Sequence, residues 1–373
     1  MQIFKPTLEG IFLERPNRFL ARVRCGRRII TAHCPNPGRM VELLAPGRPV
    51  ILERTADAKR KTPYTLVAVY YQTKVIPLYA ARANHLAAGL IIPRLYPEAS
   101  QVLPEQVYSH SRFDFKLVTP GREFFLEVKA CTLVEHGVCM FPDAPTSRGR
   151  RHLYELAEVR GSVLFVLHHP DARCFVPNLH LDPEFSLGLL QVADKINIHC
   201  VSIRTDAGGN AELVDPAVPV ILGPVENVVR DRGSYMLIIC LKQPETIQVG
   251  ALGEIDFIPG YYIYTGSALQ HLSDRLARHR RKRKPLHWHI DYLTSRAKSI
   301  QPLPIYADHN LECRLAAALS RCAEYGIAGF GCSDCKCQSH LFYFKLPPWE
   351  VTAFREVLFR SRHSWALDLN NEK

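Results

Sequence analysis

A charged hairpin constrains this chain more than any other feature. Residues 112–118 and 124–130 are alternating runs of apolar and charged side chains, separated by Pro120-Gly121, a pair suited to the middle of a tight turn. Side chains on a strand repeat every second residue, so Glu127 and Lys129 share one face while Val128 takes the other. Counting outward from the turn sets Asp114 opposite Glu127 and Arg112 opposite Lys129. Like charges facing one another across paired strands repel, and two such pairs at neighbouring positions need something to offset them. A divalent cation between the carboxylates would do so. Mg2+ or Mn2+ takes one or two carboxylates together with waters and phosphate oxygens. Lys129 would then orient or help deprotonate a water, with phosphate held by nearby arginines. The alternative on pattern alone is a solvent-facing hairpin whose charges splay apart.

The rest of the composition leans the same way. Lys and Arg number 47 against 36 Asp and Glu, a formal charge of +11, which favours polyanionic partners such as DNA. The first residues, Met1-Gln2-Ile3-Phe4-Lys5-Pro6, lack the apolar core of a signal peptide, and no apolar run is long enough for a membrane span. A soluble, unsecreted, cytoplasmic protein is expected. Most of the 12 cysteines, such as Cys25, Cys174, Cys200 and Cys240, sit in apolar strand-like runs as small core residues rather than in a disulfide framework.

At 373 residues the chain is long enough for two or three domains. Residues 1–85 read as short strands at 18–25, 29–31, 49–53 and 64–71, with the basic connection Lys59-Arg60-Lys61, and suggest an OB-like β-barrel. Residues 86–222 mix the hairpin with a helix at 147–159, strands at 162–167 and 196–203, and a helix N-capped by Asp182 with Pro183 at its first position. Pro216, Pro219 and Pro224 mark 215–230 as a linker. Residues 230–345 hold strands at 235–241 and 261–265, a basic helix running through Arg283, and helices at 287–296 and 311–322. Residues 349–373 form a helical tail.

Several clusters point to chemistry. Arg148, Arg150, Arg151 and His152 lie at a helix start, where amides and cations together hold phosphate, unless they are only a solvated helix end. Tyr235 opens one strand and Tyr264 lies near the end of another; Arg275 and His279 share one face of the basic helix, and Glu312 opens a later one. A tyrosine pair, an arginine and a glutamate would respectively activate water, neutralise phosphate and hold a metal. The run His279-Arg280-Arg281-Lys282-Arg283-Lys284 adds positive charge beside them. Cys332, Cys335, Cys337 and His340 offer three thiolates and an imidazole to Zn2+, in an unorthodox spacing whose alternatives are a structural loop or reactive thiols.

Three ordered stretches carry a resemblance. His33-Cys34-Pro35-Asn36-Pro37-Gly38-Arg39-Met40, Ser111-Arg112-Phe113-Asp114-Phe115 with Glu127-Val128-Lys129, and Phe141-Pro142-Asp143-Ala144 closely resemble the sugar fermentation stimulation protein family over residues 8–222. The family's threonine is expected where this chain has Pro37. The resemblance implies an OB barrel followed by a central α/β domain of the PD-(D/E)XK nuclease class, with Asp114, Glu127 and Lys129 at that motif's catalytic positions. It implies DNA binding, to which Arg39, Lys59, Arg60, Lys61, Arg112, Arg148, Arg151, His279, Arg280 and Arg281 are the candidate contributors. Residues 230–345, with His287-Trp288-His289-Ile290-Asp291-Tyr292-Leu293, resemble uncharacterised α/β domains of the GIY-YIG superfamily, implying catalytic positions at Tyr235, Tyr264, Arg275 and Glu312. The first motif there reads Gly-Ser-Tyr, and the two tyrosine motifs stand further apart than in typical members. The expected protein is multidomain α+β, a Mg2+-dependent deoxyribonuclease or, alternatively, a non-catalytic DNA-binding regulator of sugar metabolism that retains a nuclease fold.

Overall fold

A computed structural model describes residues 1–36, 38–55, 60–223, 225 and 230–371, and its contacts divide the chain into two compact units, one built on Met1–Val225 and the other Glu226–Trp365. In the first unit five strands close a small barrel: β1 (Leu8–Asn17), β2 (Leu20–Cys25), β3 (Arg28–His33), β4 (Pro49–Arg54) and β5 (Tyr64–Tyr71). β1 pairs antiparallel with β2 and β4, β2 with β3, and β4 with β5. His33 of β3 then meets Thr65 of β5 in parallel, returning the sheet to its start. Closure removes the exposed edges. Alternation decides which residues fill the interior: Ala21, Val23, Ala32, Val50, Leu52 and Leu66 are buried, while Arg22 and Arg24 between them are exposed. This is the oligonucleotide-binding barrel that the strand spacing suggests. β1 is the strand that the pattern conceals, because Arg15 and Glu14 interrupt its apolar rhythm.

The barrel sheet does not stop at β5. β6 (Lys74–Pro77) pairs with β5, and its Val75 meets Thr205 of a later strand, so one sheet runs on into the central layer. That layer is made of β7 (Gln101–Tyr108), β8 (Ser111–Thr119), β9 (Arg122–Cys131), β12 (Ser162–Leu167) and β14 (Asn197–Thr205). β12 is parallel to both β9 and β14, and the crossovers contain the helices Ser147–Glu158 and Pro183–Val192. Every residue of β12 is buried, as a central parallel strand covered on both faces should be. Within the crossovers, β10 (Leu133–Glu135), β11 (Val138–Phe141) and β13 (Cys174–Pro177) form a separate small sheet.

The two helices start from a shared clasp. Thr146 accepts the Gly149 amide at 3.0 Å, and Asp182 accepts the Phe185 amide at 3.0 Å with Pro183 at the first helical position. The second Asp182 oxygen takes the Thr146 amide at 2.7 Å, so one buried carboxylate fixes both helix entries.

Residues 215–230 are not a free linker where they are described. β15 (Ala211–Asp215) pairs with β14, the Val218 amide donates to Cys200, and Pro219 and Ile221 bracket Phe175. Pro219 serves through its carbonyl, which accepts the Phe175 amide, so proline content did not mean detachment. Pro224 lies outside the described residues.

In the second unit β16 (Gly233–Leu241) lies between β19 (Gly260–Ala268) and β20 (Ser299–Tyr306), antiparallel to both. β22 (Leu341–Phe344) and β21 (Tyr325–Gly326) extend the sheet beyond β19, and β17 (Glu245–Gln248) and β18 (Glu254–Phe257) form a separate hairpin. Helices Leu272–Arg280, His289–Arg296 and Glu312–Leu319 accompany the sheet. The basic helix ends at Arg280 rather than Arg283. Lys284 turns back to donate to the His279 carbonyl at 3.0 Å, closing the helix end with a cation. The tail helix Thr352–Asn371 breaks its regular geometry at His363. Among the described residues no helix is long and apolar enough to cross a membrane.

Replacing Asp182 by Ala removes a helix cap and leaves the Thr146 amide without its acceptor; a loss of about 2–3 kcal/mol in unfolding free energy is expected from urea titration. A loss below about 0.5 kcal/mol would show that the clasp is not needed.

Candidate functional site

The hairpin turn is centred on Pro120-Gly121, with Thr119 paired to Arg122 and Gly121 at φ +88°. The ladder runs outward as far as Phe115 opposite Leu126. Asp114 is one place beyond that last rung, and there its carboxylate replaces the partner strand: Oδ2 accepts the Val128 amide at 2.8 Å. Oδ1 accepts from Asn84 at 2.7 Å, reaching in from the helix Arg82–Leu86. Burial, and then the neighbouring Glu127 charge, push Asp114 above the usual carboxylate range.

Glu127 is buried on β9, between β8 and β12. Its Oε1 receives Lys129 Nζ at 2.5 Å and His152 Nδ1 at 2.6 Å. Behind the imidazole, Arg148 Nε donates to His152 Nε2 at 3.2 Å, which places the ring proton on Nδ1, toward the glutamate. Burial acts to raise Glu127, but the His152 hydrogen bond and the Lys129 charge outweigh it and hold this carboxyl below its ordinary value. Among the described residues Oε2 is buried with no donor. Two adjacent carboxylates are thus pushed apart in acidity, and the more deeply buried one keeps an oxygen without a donor.

Asp114 and Lys129 open on a cleft of about 480 Å3 that is also lined by Arg18, Asn36, Gly38 and Asp143. Arg15 organises the loop on its far wall, donating to the carbonyls of Gly38 at 2.7 Å and Asn36 at 3.0 Å. Gly38 packs directly against Asp143: a Cβ there would lie 1.8 Å from Asp143 Oδ2, so a larger residue would have to displace that carboxylate. Asn84, Asp143 and Asn36 carry no pattern that would select them from the sequence. Asp143 and Asn36 stand in motifs that the family resemblance quotes, whereas Asn84 has no signal at all.

Charge repulsion along the hairpin is relieved by protein partners. Arg112 is exposed and pairs with Glu105 of β7 at 3.5 Å, so it does not confront Lys129, which is engaged with Glu127. Of the helix-start cations, Arg148 and Arg151 are exposed, Arg150 pairs with Glu184, and His152 is buried beneath Glu127 instead of facing phosphate. Arg39 is half-buried with its charge close to Asp143. Lys61 is exposed and Arg60 half-buried near His33, while Lys59 lies outside the described residues.

In the second unit, Tyr235, Tyr264, Arg275, His279, Trp288 and Glu312 line one pocket of about 310 Å3. The tyrosines sit on adjacent strands with ring centres 6.4 Å apart. Burial pushes both phenols well above their ordinary range. Tyr235 and His279 Nε2 are 2.8 Å apart. His279 is fully buried, and burial together with Lys284 lowers it to about 3, so it is a neutral acceptor rather than a phosphate-binding cation. Lys284 is likewise buried against Asp291 and Thr294, whereas Arg280 and Arg281 are exposed. Arg275 lies over the Trp288 ring at 4.4 Å.

Glu312 Oε2 accepts from Ser267 at 2.5 Å and Oε1 meets His340 Nδ1 at 2.9 Å. It is therefore tied to a cysteine cluster as well as to the pocket. That cluster differs from the sequence spacing: Cys313, Cys335, Cys337 and His340 converge, whereas the Cys332 thiol turns to the Phe330 carbonyl at 3.3 Å. Cys313 adjoins Glu312 on the helix and has no nearby cysteine in sequence to mark it. Of the cysteines read as core residues, Cys174 and Cys200 are buried and Cys25 and Cys240 half-buried.

Residues 13–78 match the family described as the SfsA N-terminal OB domain, 81–209 the sugar fermentation stimulation protein RE domain, and 234–361 the domain of unknown function DUF123. The sugar fermentation stimulation protein homolog of Clostridium tetani is 36% identical over 232 residues, covering 60% of this chain and 100% of the relative. The homolog of Alkaliphilus metalliredigens is 39% identical over 188 residues, covering 48% and 81%. The homolog of Methanothermobacter thermautotrophicus is 36% identical over 213 residues, covering 55% and 89%. Pyrococcus furiosus SfsA, solved in complex with Ca2+, aligns with a TM-score of 0.54 at 27% identity, covering 59% of this chain and all of that one.

Asp143 generates a pH test. Burial and then Glu42 push it up to about 6, so folding favours its protonated form. That contribution is complete below the ordinary carboxylate range and is lost as pH rises through about 6. Asp143→Asn should remove this loss, so that the variant gains in Tm relative to wild type between pH 4 and 7 by calorimetry. Parallel Tm profiles would show that the carboxyl is not strained.

Proposed function

The chain belongs to the sugar fermentation stimulation protein family, with a DUF123 domain joined to it, and on that premise we propose that its central cleft is a divalent-cation-dependent DNA nuclease site of the PD-(D/E)XK type. The bare, buried Oε2 of Glu127 beside Asp114 carries the reading. A hard cation prefers carboxylate oxygen, and these two side chains fit one; the Ca2+ of the Pyrococcus relative belongs to the same class of ion. Mg2+ or Mn2+ held there would stabilise charge developing on a phosphodiester.

The chain's own groups supply the rest. Asn84 and the Val128 amide hold Asp114 in place, and His152, backed by Arg148, sets the orientation of Glu127. Lys129 lines the cleft, where its Nζ would orient the attacking water. Arg18 on the cleft wall, and Arg39 whose charge acts on Asp143, receive the backbone phosphates, and the barrel with its excess of positive charge extends the DNA-binding surface. In the second unit we assign the tyrosine pocket to a GIY-YIG-type phosphodiester site, supported by Tyr235, Tyr264, Arg275 and Glu312 lining one cavity.

A second reading, a DNA-binding regulator without catalysis, is favoured by one observation: Lys129 is already engaged with Glu127 and both Asp114 oxygens have donors. A cleavage assay on single-stranded, duplex and branched DNA separates the two. Mg2+- or Mn2+-dependent product, reduced more than about 100-fold in Asp114→Ala and in Glu127→Ala, is expected. DNA affinity that survives both substitutions, with no product under any metal, would establish the regulator instead. Glu312→Ala run in parallel reports whether the second pocket cuts.

A further inference from the structure

We propose that Cys313, Cys335, Cys337 and His340 form a closed tetrahedral zinc site, and that Glu312, which orients its histidine, couples that site to the tyrosine pocket. The four ligand atoms lie within 4.8 Å of one another. A tetrahedral zinc with Zn–S near 2.3 Å and Zn–N near 2.0 Å separates its ligand atoms by about 3.5–3.8 Å. Cys335 Sγ and His340 Nε2 are 3.5 Å apart, at the bottom of that range.

The histidine is prepared for a metal at one nitrogen. Its Nδ1 is held by Glu312 at 2.9 Å, which leaves Nε2 facing the thiols. A carboxylate behind a ligating imidazole fixes the ring and raises its basicity, an arrangement that recurs at zinc centres. Three soft thiolates and one imidazole select zinc over hard cations, and four protein ligands leave no open coordination position. The site is accordingly structural. A disulfide within the cluster would use two thiols and leave the third without a role.

The cluster is built onto the pocket wall. The His340 amide donates to Phe330 at 2.8 Å, and its carbonyl accepts the Thr265 amide at 2.9 Å, directly after Tyr264. Gly331 fits between the two sites: a Cβ there would lie 3.0 Å from the Tyr264 ring and 3.2 Å from His340 Cβ. Glu312 spans both with its two oxygens, one on His340 and one on Ser267 of β19. Consecutive residues of one helix, Glu312 and Cys313, thus face the pocket and the metal.

The test needs no activity from the pocket. Full-length protein purified without chelator should contain one zinc per chain by elemental analysis, and Co2+ in its place should give the visible bands of a tetrahedral thiolate site. Cys332→Ser should keep both properties. Cys313→Ser, at an exposed helix position, should lose zinc or bind it more than about 10-fold more weakly and change the Co2+ spectrum; Glu312→Gln should keep zinc but weaken it about 10- to 100-fold. Removing zinc should accelerate amide exchange at residues 264–268. Substoichiometric zinc in wild type, another metal at the thiolates, or full zinc with an unchanged spectrum in Cys313→Ser overturns the ligand set. Unchanged exchange at 264–268, or unchanged zinc affinity in Glu312→Gln, overturns the coupling.

Discussion

Burying Glu127 in the middle of the central sheet sets terms that much of the first unit must meet. A buried carboxylate costs several kcal/mol unless charged partners and donors surround it. β9 supplies Lys129 from the same face, and the helix Ser147–Glu158 supplies His152 from above. That helix is held in register by its cap at Thr146, which is itself held by Asp182 at the start of the next helix. The donors reach only one oxygen of the glutamate. The other, Oε2, stays without a donor among the described residues, and the proposed metal role of this pair of carboxylates rests on it.

The second unit contains the same pairing of glutamate and buried histidine, put to another use. Glu312 and His340 repeat the contact of Glu127 and His152, but both Glu312 oxygens are engaged and the free imidazole nitrogen faces sulfur. An open carboxylate oxygen suits a hard ion and its phosphate; an imidazole among thiols suits a soft ion with a closed shell. The difference lies in which atom of the pair is left over. Around Tyr235 and Tyr264 the cations likewise divide into buried groups that shape the pocket, His279 and Lys284, and exposed ones that project charge, Arg280 and Arg281.

Local pattern carried a large part of the fold. The barrel strands, the Pro120-Gly121 turn, the Asp182 cap and the buried strand Ser162–Leu167 follow from periodicity and turn chemistry, which act within a few residues. Elements with weak local signal were hidden: β1 interrupted by charges, β20 by prolines, and the tightly bound stretch after Asp215. The basic run 279–284 divides in a way that local pattern does not show. Composition counts charges, and only packing shows that two of those six side chains are buried.

By itself, the sequence determined that Asp114, Glu127 and Lys129 would lie close together, since strand period and a tight turn are local and the turn residues set the register. Tertiary structure decided what those groups meet. Asn84 reaches Asp114 from 30 residues away, His152 reaches Glu127 from 25, and Cys313 reaches the loop cluster of His340 from the helix Glu312–Leu319. Such contacts depend on how whole layers pack, and no spacing along the chain encodes which side chain will arrive to satisfy, or leave bare, a buried carboxylate oxygen.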